Sequence, residues 1–245
     1  MKVVATIEAR MSSSRLPGKV LMEAAGEPML AHLVRRLRAV PSIDAIVLAT
    51  TVADADDVLA HWAAEQGLGC YRGSEEDVMA RVVEAGRVAG AEILVEITGD
   101  CPVIDPEVVD QCIRMFLANP CDYCSNALVR SWPVGMDTQV YRLETLERSE
   151  RMTDHPLDRE HVTRHIRMNP DEFPSVHLVA PPAEHWPELG LTLDEPGDYE
   201  LLKRLIEHFA GHPLFSCREA VRALREEHPE WLDLNASVMR RGMHR

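Results

Sequence analysis

The segment Ala9-Arg10-Met11-Ser12-Ser13-Ser14-Arg15-Leu16-Pro17-Gly18-Lys19 follows a short apolar run, Val3 to Ile7, near the start of the chain. Its three cations, Arg10, Arg15 and Lys19, are separated by small hydroxyl residues and closed by Pro-Gly. Guanidinium and ammonium groups on a short loop make charge-assisted contacts with phosphate, and amides beside small side chains add anion donors. The spacing departs from the two familiar phosphate loops. A Walker loop ending on Gly18-Lys19 needs Gly at position 13 and Ser or Thr at position 20, where this chain has Ser13 and Val20, and G-x-G-x-x-G is absent here. On these residues alone, a polyphosphate site and a solvated surface loop both stand.

Two acidic positions bear on that choice. The apolar run Ile93 to Ile97 leads into Thr98-Gly99-Asp100-Cys101-Pro102, and Leu191-Thr192-Leu193 leads into Asp194-Glu195-Pro196. Magnesium takes oxygen ligands, commonly one or two carboxylates with substrate phosphates and water, so an Asp facing a polyphosphate is a plausible anchor. Each Asp also has an ordinary use, Asp194 as a helix cap and Asp100 as a turn former. Cations and two carboxylates at one sheet edge would suit a nucleotide–metal complex.

The elements that must bring these residues together alternate in type. Strands are expected at Val3–Ile7, Ala45–Ala49, Cys70–Tyr71 and Ile93–Ile97, with helices over 29–40, 54–66 and 75–89. Asp105-Pro106 opens a further helix, with Asp as N-cap and Pro at N1. Strands separated by helices of this length form parallel βαβ units, whose ligands bind beyond the carboxyl ends of the strands. After Asn119-Pro120 the pattern loosens into strands at 122–127 and 137–142 and helices at 144–152 and 158–168, the last capped by Asp158. A strand at Leu191–Leu193 and helices at 196–209 and 217–227 follow. The expected division is a nucleotide-binding α/β part over 1–119, a lobe or sheet extension over 120–182, and a C-terminal part over 183–245 that completes the main domain.

Three further patterns carry rival chemistry. His161 and His165 are four apart on an expected helix and could share a metal ion on one face, although H-E-x-x-H is absent. Asp54-Ala55-Asp56-Asp57 is a D-x-D string of the kind that metal-dependent glycosyltransferases use with nucleotide sugars, or else an acidic first helical turn favoured by the helix dipole. Cys121-Asp122-Tyr123-Cys124 matches C-x-x-C, but alternates like a strand, whereas the redox motif opens a helix. A non-catalytic nucleotide-fold assembly module is the remaining alternative.

Taken in order, the motifs resemble the spore-coat polysaccharide biosynthesis cytidylyltransferases and their wider relatives, the acylneuraminate and 3-deoxy-manno-octulosonate cytidylyltransferases. The likeness runs from the Ala9–Leu21 segment through Tyr71-Arg72-Gly73-Ser74-Glu75-Glu76-Asp77-Val78 and Ile97–Pro106. It continues through Tyr123–Asn126, Gly135-Met136-Asp137, Arg159-Glu160-His161-Val162-Thr163 and Thr192–Pro196. The resemblance implies a Rossmann-like, mainly parallel sheet of the nucleotide-diphospho-sugar transferase type. The implied reaction uses CTP and Mg²⁺ to build a CMP-linked product and pyrophosphate.

Carried over by position, Arg10, Arg15 and Lys19 would hold the triphosphate, with Ala9, Ser13 and Thr98 beside it. Asp100 and Asp194 would hold the metal, and Arg10, Lys19 and Asp100 would be catalytic. Arg72 and Ser74 would contact the nucleoside, and Asn126, Asp137, Arg159 and His161 would border a pocket for a small acidic acceptor. A homodimer through the 120–182 lobe is also implied. Two positions depart from the family pattern Gln-Ala-Arg-Met-Gly-Ser: Glu8 stands at the Gln and Ser12 at the Gly. Glu8 adds negative charge, and so would point away, pair with an arginine or help the metal. Ser12 removes glycine's access to positive φ.

Composition narrows the partners. With Lys plus Arg at 26 and Asp plus Glu at 40, the 245-residue chain carries a net charge of −14, which repels duplex nucleic acid. Hydrophobic residues make up 46% and charged residues 27%, enough for a core mainly of aliphatic side chains, since aromatics are 5%. Val3 to Ile7 is too short for a signal-peptide core or a bilayer span, so a cytoplasmic protein with no membrane contact is expected. The six cysteines form no disulfide framework, and the basic end, Met239 to Arg245, reads as a solvated tail.

Overall fold

The computed structural model describes residues 1–238. The parallel core of the sheet is β1 (Val3–Glu8), β4 (Ala45–Thr51), β5 (Gly69–Gly73) and β6 (Ile93–Thr98). Between these strands lie α1 (Met29–Arg38), α2 (Asp57–Glu65) and α3 (Val78–Ala89), and α4 (Pro106–Ala118) follows β6. A two-stranded hairpin, β2 (Glu23–Ala24) with β3 (Glu27–Pro28), sits between β1 and α1. β7 (Tyr123–Ser125), β8 (Gln139–Arg142) and β9 (Ser175–His177) continue the main sheet, whose order is β5-β4-β1-β6-β8-β7-β9. Region 120–182 thus extends the sheet. β8 runs antiparallel to both β6 and β7, and the other pairings are parallel, which makes the fold α/β with a mainly parallel sheet.

The chain leaves β1 to build β4 and β5 on one side, then returns to add β6 on the other, so the order reverses at β1. A crevice opens at such a reversal, above the strands' carboxyl ends. Register decides what lines it. Val4, Thr6 and Glu8 of β1 pair with Leu94, Glu96 and Thr98 of β6, so all six side chains share one face. On that face Val4 and Leu94 pack with Met79, Val82 and Val83 of α3, and the polar members fall at the carboxyl end. On the opposite face Val3, Ala5, Ile7, Ile93, Val95 and Ile97 are buried beneath α1, α2 and α4. A third core holds α8 (Pro196–His208) and α9 (Cys217–Arg222) around Trp132, Met136, Leu191 and Leu193.

Most expected elements form, and the differences have local causes. α3 begins at Val78 rather than Glu75, because Ser74 Oγ accepts from Asp77 N at 3.0 Å and Asp77 then caps Ala80 N at 2.9 Å. The expected 158–168 helix is two short ones, α6 (Pro156–Glu160) and α7 (Arg164–Met168), beyond α5 (Leu143–Met152). His155, not Asp158, caps α6, and His161 leaves helical geometry at φ −109°, ψ 60°. The Asp158 carboxylate is occupied by Thr153 Oγ1 at 2.7 Å and by Arg164. Leu191–Leu193 is no strand but a strap: Leu191 N donates to Val134 O at 2.7 Å, and Leu193 N to Asp100 O at 2.8 Å.

Cys124 lies within β7 as the alternation suggested, and all six cysteines are free thiols. No described helix is long and apolar enough to cross a membrane. The basic tail, Met239 to Arg245, lies outside the described residues.

Candidate active site

The loop after β1 is shaped by its own backbone. Gly18 N donates to Met11 O at 2.9 Å and Lys19 N to Leu16 O at 3.2 Å, while Gly18 takes φ +70°, a left-handed conformation that glycine adopts without steric cost. Asp56 pins the loop's base by accepting from Met11 N at 2.7 Å, and also holds Thr51 Oγ1. Ala25 is the one described non-glycine residue at positive φ, so Ser12 meets no left-handed requirement.

The loop, the end of β6 and the strap enclose a cleft of about 1110 Å³. Ala9, Arg10, Ser13, Arg15, Lys19, Ser74, Thr98, Asp100, His161 and Asp194 all line it. At its centre the Lys19 ammonium lies 3.0 Å from Asp194 Oδ1 and 3.5 Å from Asp100 Oδ2. Arg15 Nη2 also reaches Asp194 Oδ1, at 3.0 Å, and Thr98 Oγ1 donates to Asp100 Oδ1 at 2.5 Å. Two carboxylates from distant parts of the chain therefore converge on one cation-sized position. Burial acts to lower the Lys19 pKa, but Asp100 and Asp194 outweigh it and raise the value. For Asp194, burial pushes upward and Lys19 and Arg15 win, holding the carboxyl below its ordinary value. An all-oxygen pair of this kind suits a hard divalent cation. Arg10 pairs at 2.9 Å with Glu75, which also accepts from Ser12 Oγ at 2.7 Å, so an arriving anion would compete with Glu75 for this guanidinium.

Arg72, Asn126, Asp137 and Arg159 do not line the cleft. Arg72 donates to Thr51 O at 2.8 Å and Ala53 O at 2.9 Å and pairs with Asp57 at 2.6 Å, fixing the β4–α2 turn against β5. Asn126 is buried, donating to Met136 O at 2.7 Å and accepting from Thr138 N at 2.8 Å. Asp137 pairs with Arg130 at 2.6 Å, and burial raises its pKa. Arg159 grips Asp77, with Nε 3.0 Å from both carboxylate oxygens, and so ties α6 to the start of α3.

The rival motifs fare differently. In the D-x-D string, Asp56 is buried on Thr51 and the loop backbone and Asp57 is paired with Arg72. The break between α6 and α7 separates His161 from His165, whose Nδ1 meets Ser149 Oγ at 3.0 Å.

The floor of the cleft holds a feature that only half showed in the sequence. Glu8 and Glu96 both line it, with Arg81, Gln139, Thr163 and Arg167 around them. Glu8 neither points away nor forms an arginine pair: its Oε1 is buried without a hydrogen-bond partner. Burial, then the neighbouring Glu96, pushes its pKa well above the ordinary carboxyl value, so its neutral form is favoured. Glu96 accepts from Tyr141 Oη at 2.6 Å and Gln139 Nε2 at 2.9 Å, and burial pushes its pKa up to about 7. Its signal was a single charged residue inside the otherwise apolar Ile93–Ile97 run.

The chain has known relatives. The family described as Cytidylyltransferase matches residues 4–227. The spore coat polysaccharide biosynthesis protein SpsF of Bacillus subtilis is 33% identical over 225 residues, covering 89% of this chain and 92% of that protein. An uncharacterized protein of Methanocaldococcus jannaschii is 32% identical over 209 residues, 85% of each chain. Among solved structures, a cytidylyltransferase from Leptospira borgpetersenii serovar Hardjo-bovis gives a TM-score of 0.91 at 29% identity, covering 98% of this chain and 100% of that one.

Proposed function

The chain belongs to the cytidylyltransferase family, and on that premise we propose that it moves CMP from CTP to a small acidic acceptor, releasing pyrophosphate, in the cleft above β1 and β6. The acceptor is a sugar acid of surface polysaccharide or flagellar glycan synthesis. The spore coat polysaccharide role in the Bacillus relative's name supports a sugar acceptor, and Arg81 and Arg167 in the cleft lining support an acidic one. The observation that carries the reading is the meeting of Asp100 and Asp194 on the Lys19 ammonium beside Arg15.

In this reading Arg10, Arg15 and Lys19 hold the triphosphate, with Ala9, Ser13 and Thr98 at its side and Ser74 toward the nucleoside. Asp100 and Asp194 would be the oxygen ligands of Mg²⁺, which when bound would draw electron density from the phosphates and offset their charge. Asn126, Asp137, Arg159 and Arg72 are positioning residues, whose partners hold the cleft wall in place. The acceptor oxygen bonds to the α-phosphorus as the bond from that phosphorus to the bridging oxygen breaks, and pyrophosphate departs with the bond's electrons. Two unit charges about 4 Å apart interact by about 4 kcal/mol at an effective dielectric near 20, so an anionic acceptor needs the cations already in place. The acceptor's proton passes to a base in the cleft lining, where His161 is the imidazole available. The same reading includes a homodimer through region 120–182, which exposes Leu128, Val129 and Val179; a monomer in light scattering would remove that part.

The test is pyrophosphate release from CTP, ATP, GTP and UTP with Mg²⁺ across a panel of sugar acids. CTP with one class of acid should turn over, and folded Asp100→Ala and Asp194→Ala proteins should not. Wild-type rates in either variant, or no turnover with any pair, overturn the assignment. The second result would leave an assembly module, and turnover of a preformed nucleotide sugar with a glycan acceptor would make the protein a glycosyltransferase.

A further inference from the structure

Far from the cleft, the end of α8 meets the turn that follows α9. His208 is the last residue of α8, and α9 continues into a π-turn, Ala223–Glu227, after which comes His228. We propose that His208, Glu227 and His228 form a second metal site, one that takes a borderline divalent cation of the zinc type and staples α8 to the C-terminal segment. Each residue offers one ligand atom, and these atoms lie within 4.8 Å of one another.

The distances are compatible with metal ligation. His208 Nε2 stands 3.5 Å from Glu227 Oε2. That is longer than a charge-assisted hydrogen bond of about 2.8 Å. It is close to the ligand–ligand edge, roughly 3.3 Å, of a tetrahedron with zinc bonds of about 2.0–2.1 Å. Arg222 Nε lies 3.3 Å from the other oxygen, Oε1, which leaves Oε2 as a single donor. His228 Nδ1 lies 3.3 Å from Glu230 Oε1, and with an ion on the other ring nitrogen this carboxylate would sit behind a ligand. A carboxylate on the far nitrogen is what orients a ligating imidazole and strengthens it as a donor.

The rings are also held. His228 lies flat on Trp231, centroids 3.9 Å apart and planes 2° apart, and His208 is edge-on to Phe209 at 4.7 Å. The π-turn, closed by His228 N donating to Ala223 O at 2.8 Å, adds a residue to the turn and re-aims Glu227 and His228; such turns recur at functional sites. Two imidazoles and one carboxylate favour zinc, nickel or copper over magnesium, the reverse of the Asp100–Asp194 pair. With three protein ligands at the surface, a fourth position stays open to water.

The site is tested with the full chain, free of any histidine tag, by calorimetric titration with zinc chloride in excess magnesium, and by cobalt absorption. One zinc per chain should bind, and it should raise the melting temperature. Cobalt should give the visible bands of a tetrahedral centre. His208→Ala and His228→Ala should lose the tight site. Glu227→Gln, which barely alters surface volume, should weaken it, and Glu230→Gln should weaken it by about tenfold, the usual effect of losing a carboxylate behind a ligand. Asp100→Ala should bind zinc as the wild type does. Absence of saturable zinc binding, or equal binding in the folded His208→Ala/His228→Ala double variant, overturns the proposal. Failure of the cytidylyl-transfer assay would not touch it.

Discussion

Glu96→Gln should turn a hidden pH dependence into a measurable one. Glu96 lies on the floor of the cleft between Tyr141 and Gln139, and burial lifts its pKa from 4.5 to about 7. A carboxyl whose folded pKa exceeds its unfolded value binds more protons in the folded state between the two. Its stabilising contribution is therefore complete below pH 4.5 and is lost as the pH climbs through about 7. At 1.36 kcal/mol per pKa unit, the loss is about 3 kcal/mol across this window. Gln keeps the shape and an acceptor oxygen but has no proton to lose. The unfolding free energy of the variant minus that of the wild type should thus rise by about 3 kcal/mol from acid to mildly alkaline pH. Glu96 is also the second cause, after burial, of the raised Glu8 pKa, so the substitution lets Glu8 ionise more easily, lessens the variant's own loss at high pH and adds to that figure. Urea unfolding of both proteins at half-unit pH intervals measures the difference. Parallel stability curves would refute the reasoning, because they would mean that Glu96 is charged in the fold at no cost.

Two other substitutions probe the site's construction. Lys19→Ala removes an ammonium that is only 13% exposed, and should weaken CTP binding by about tenfold to a hundredfold, the range for one or two charged hydrogen bonds, while leaving CMP nearly untouched. Calorimetry with both nucleotides decides it, and equal losses would remove Lys19 from the triphosphate. Gly135→Ala places a methyl group 2.6 Å from Leu191 O at φ +107°, so it should cost about 2–4 kcal/mol and loosen the strap that carries Asp194. Chemical denaturation with an unchanged midpoint would show that the strap does not need this close approach.

The parallel core was legible because β1, β4 and most of β6 are apolar runs, and because a cap such as Asp105-Pro106 announces α4. The basic loop and the two aspartates were legible as types; β1–β6 register explains why the loop meets Asp100, and the strap explains why Asp194 joins them. The fate of individual arginines was not. Arg72 and Arg159 read as ligand contacts, yet each finds its carboxylate within the protein, Asp57 and Asp77, through packing that no local pattern encodes. The break at His161 was hidden because 158–168 has no Gly or Pro to announce it. The Leu191–Leu193 strap reads as a strand because a three-residue apolar run looks the same whether it joins a ladder or makes two isolated hydrogen bonds.

That strap has a consequence for how the protein comes into being. Asp194 is aimed by Leu193, whose amide donates to the carbonyl of Asp100, so residues nearly a hundred positions apart share one backbone contact. During synthesis the basic loop, β1, β4 and β6 emerge and can pair long before position 194 leaves the ribosome. The nascent chain can therefore present a nearly finished sheet in which Lys19 faces Asp100 without Asp194, and the second carboxylate arrives only when the strap closes. Completion of the acidic pair therefore depends on a late, long-range contact, and a chain lacking the strap would lack half of that pair.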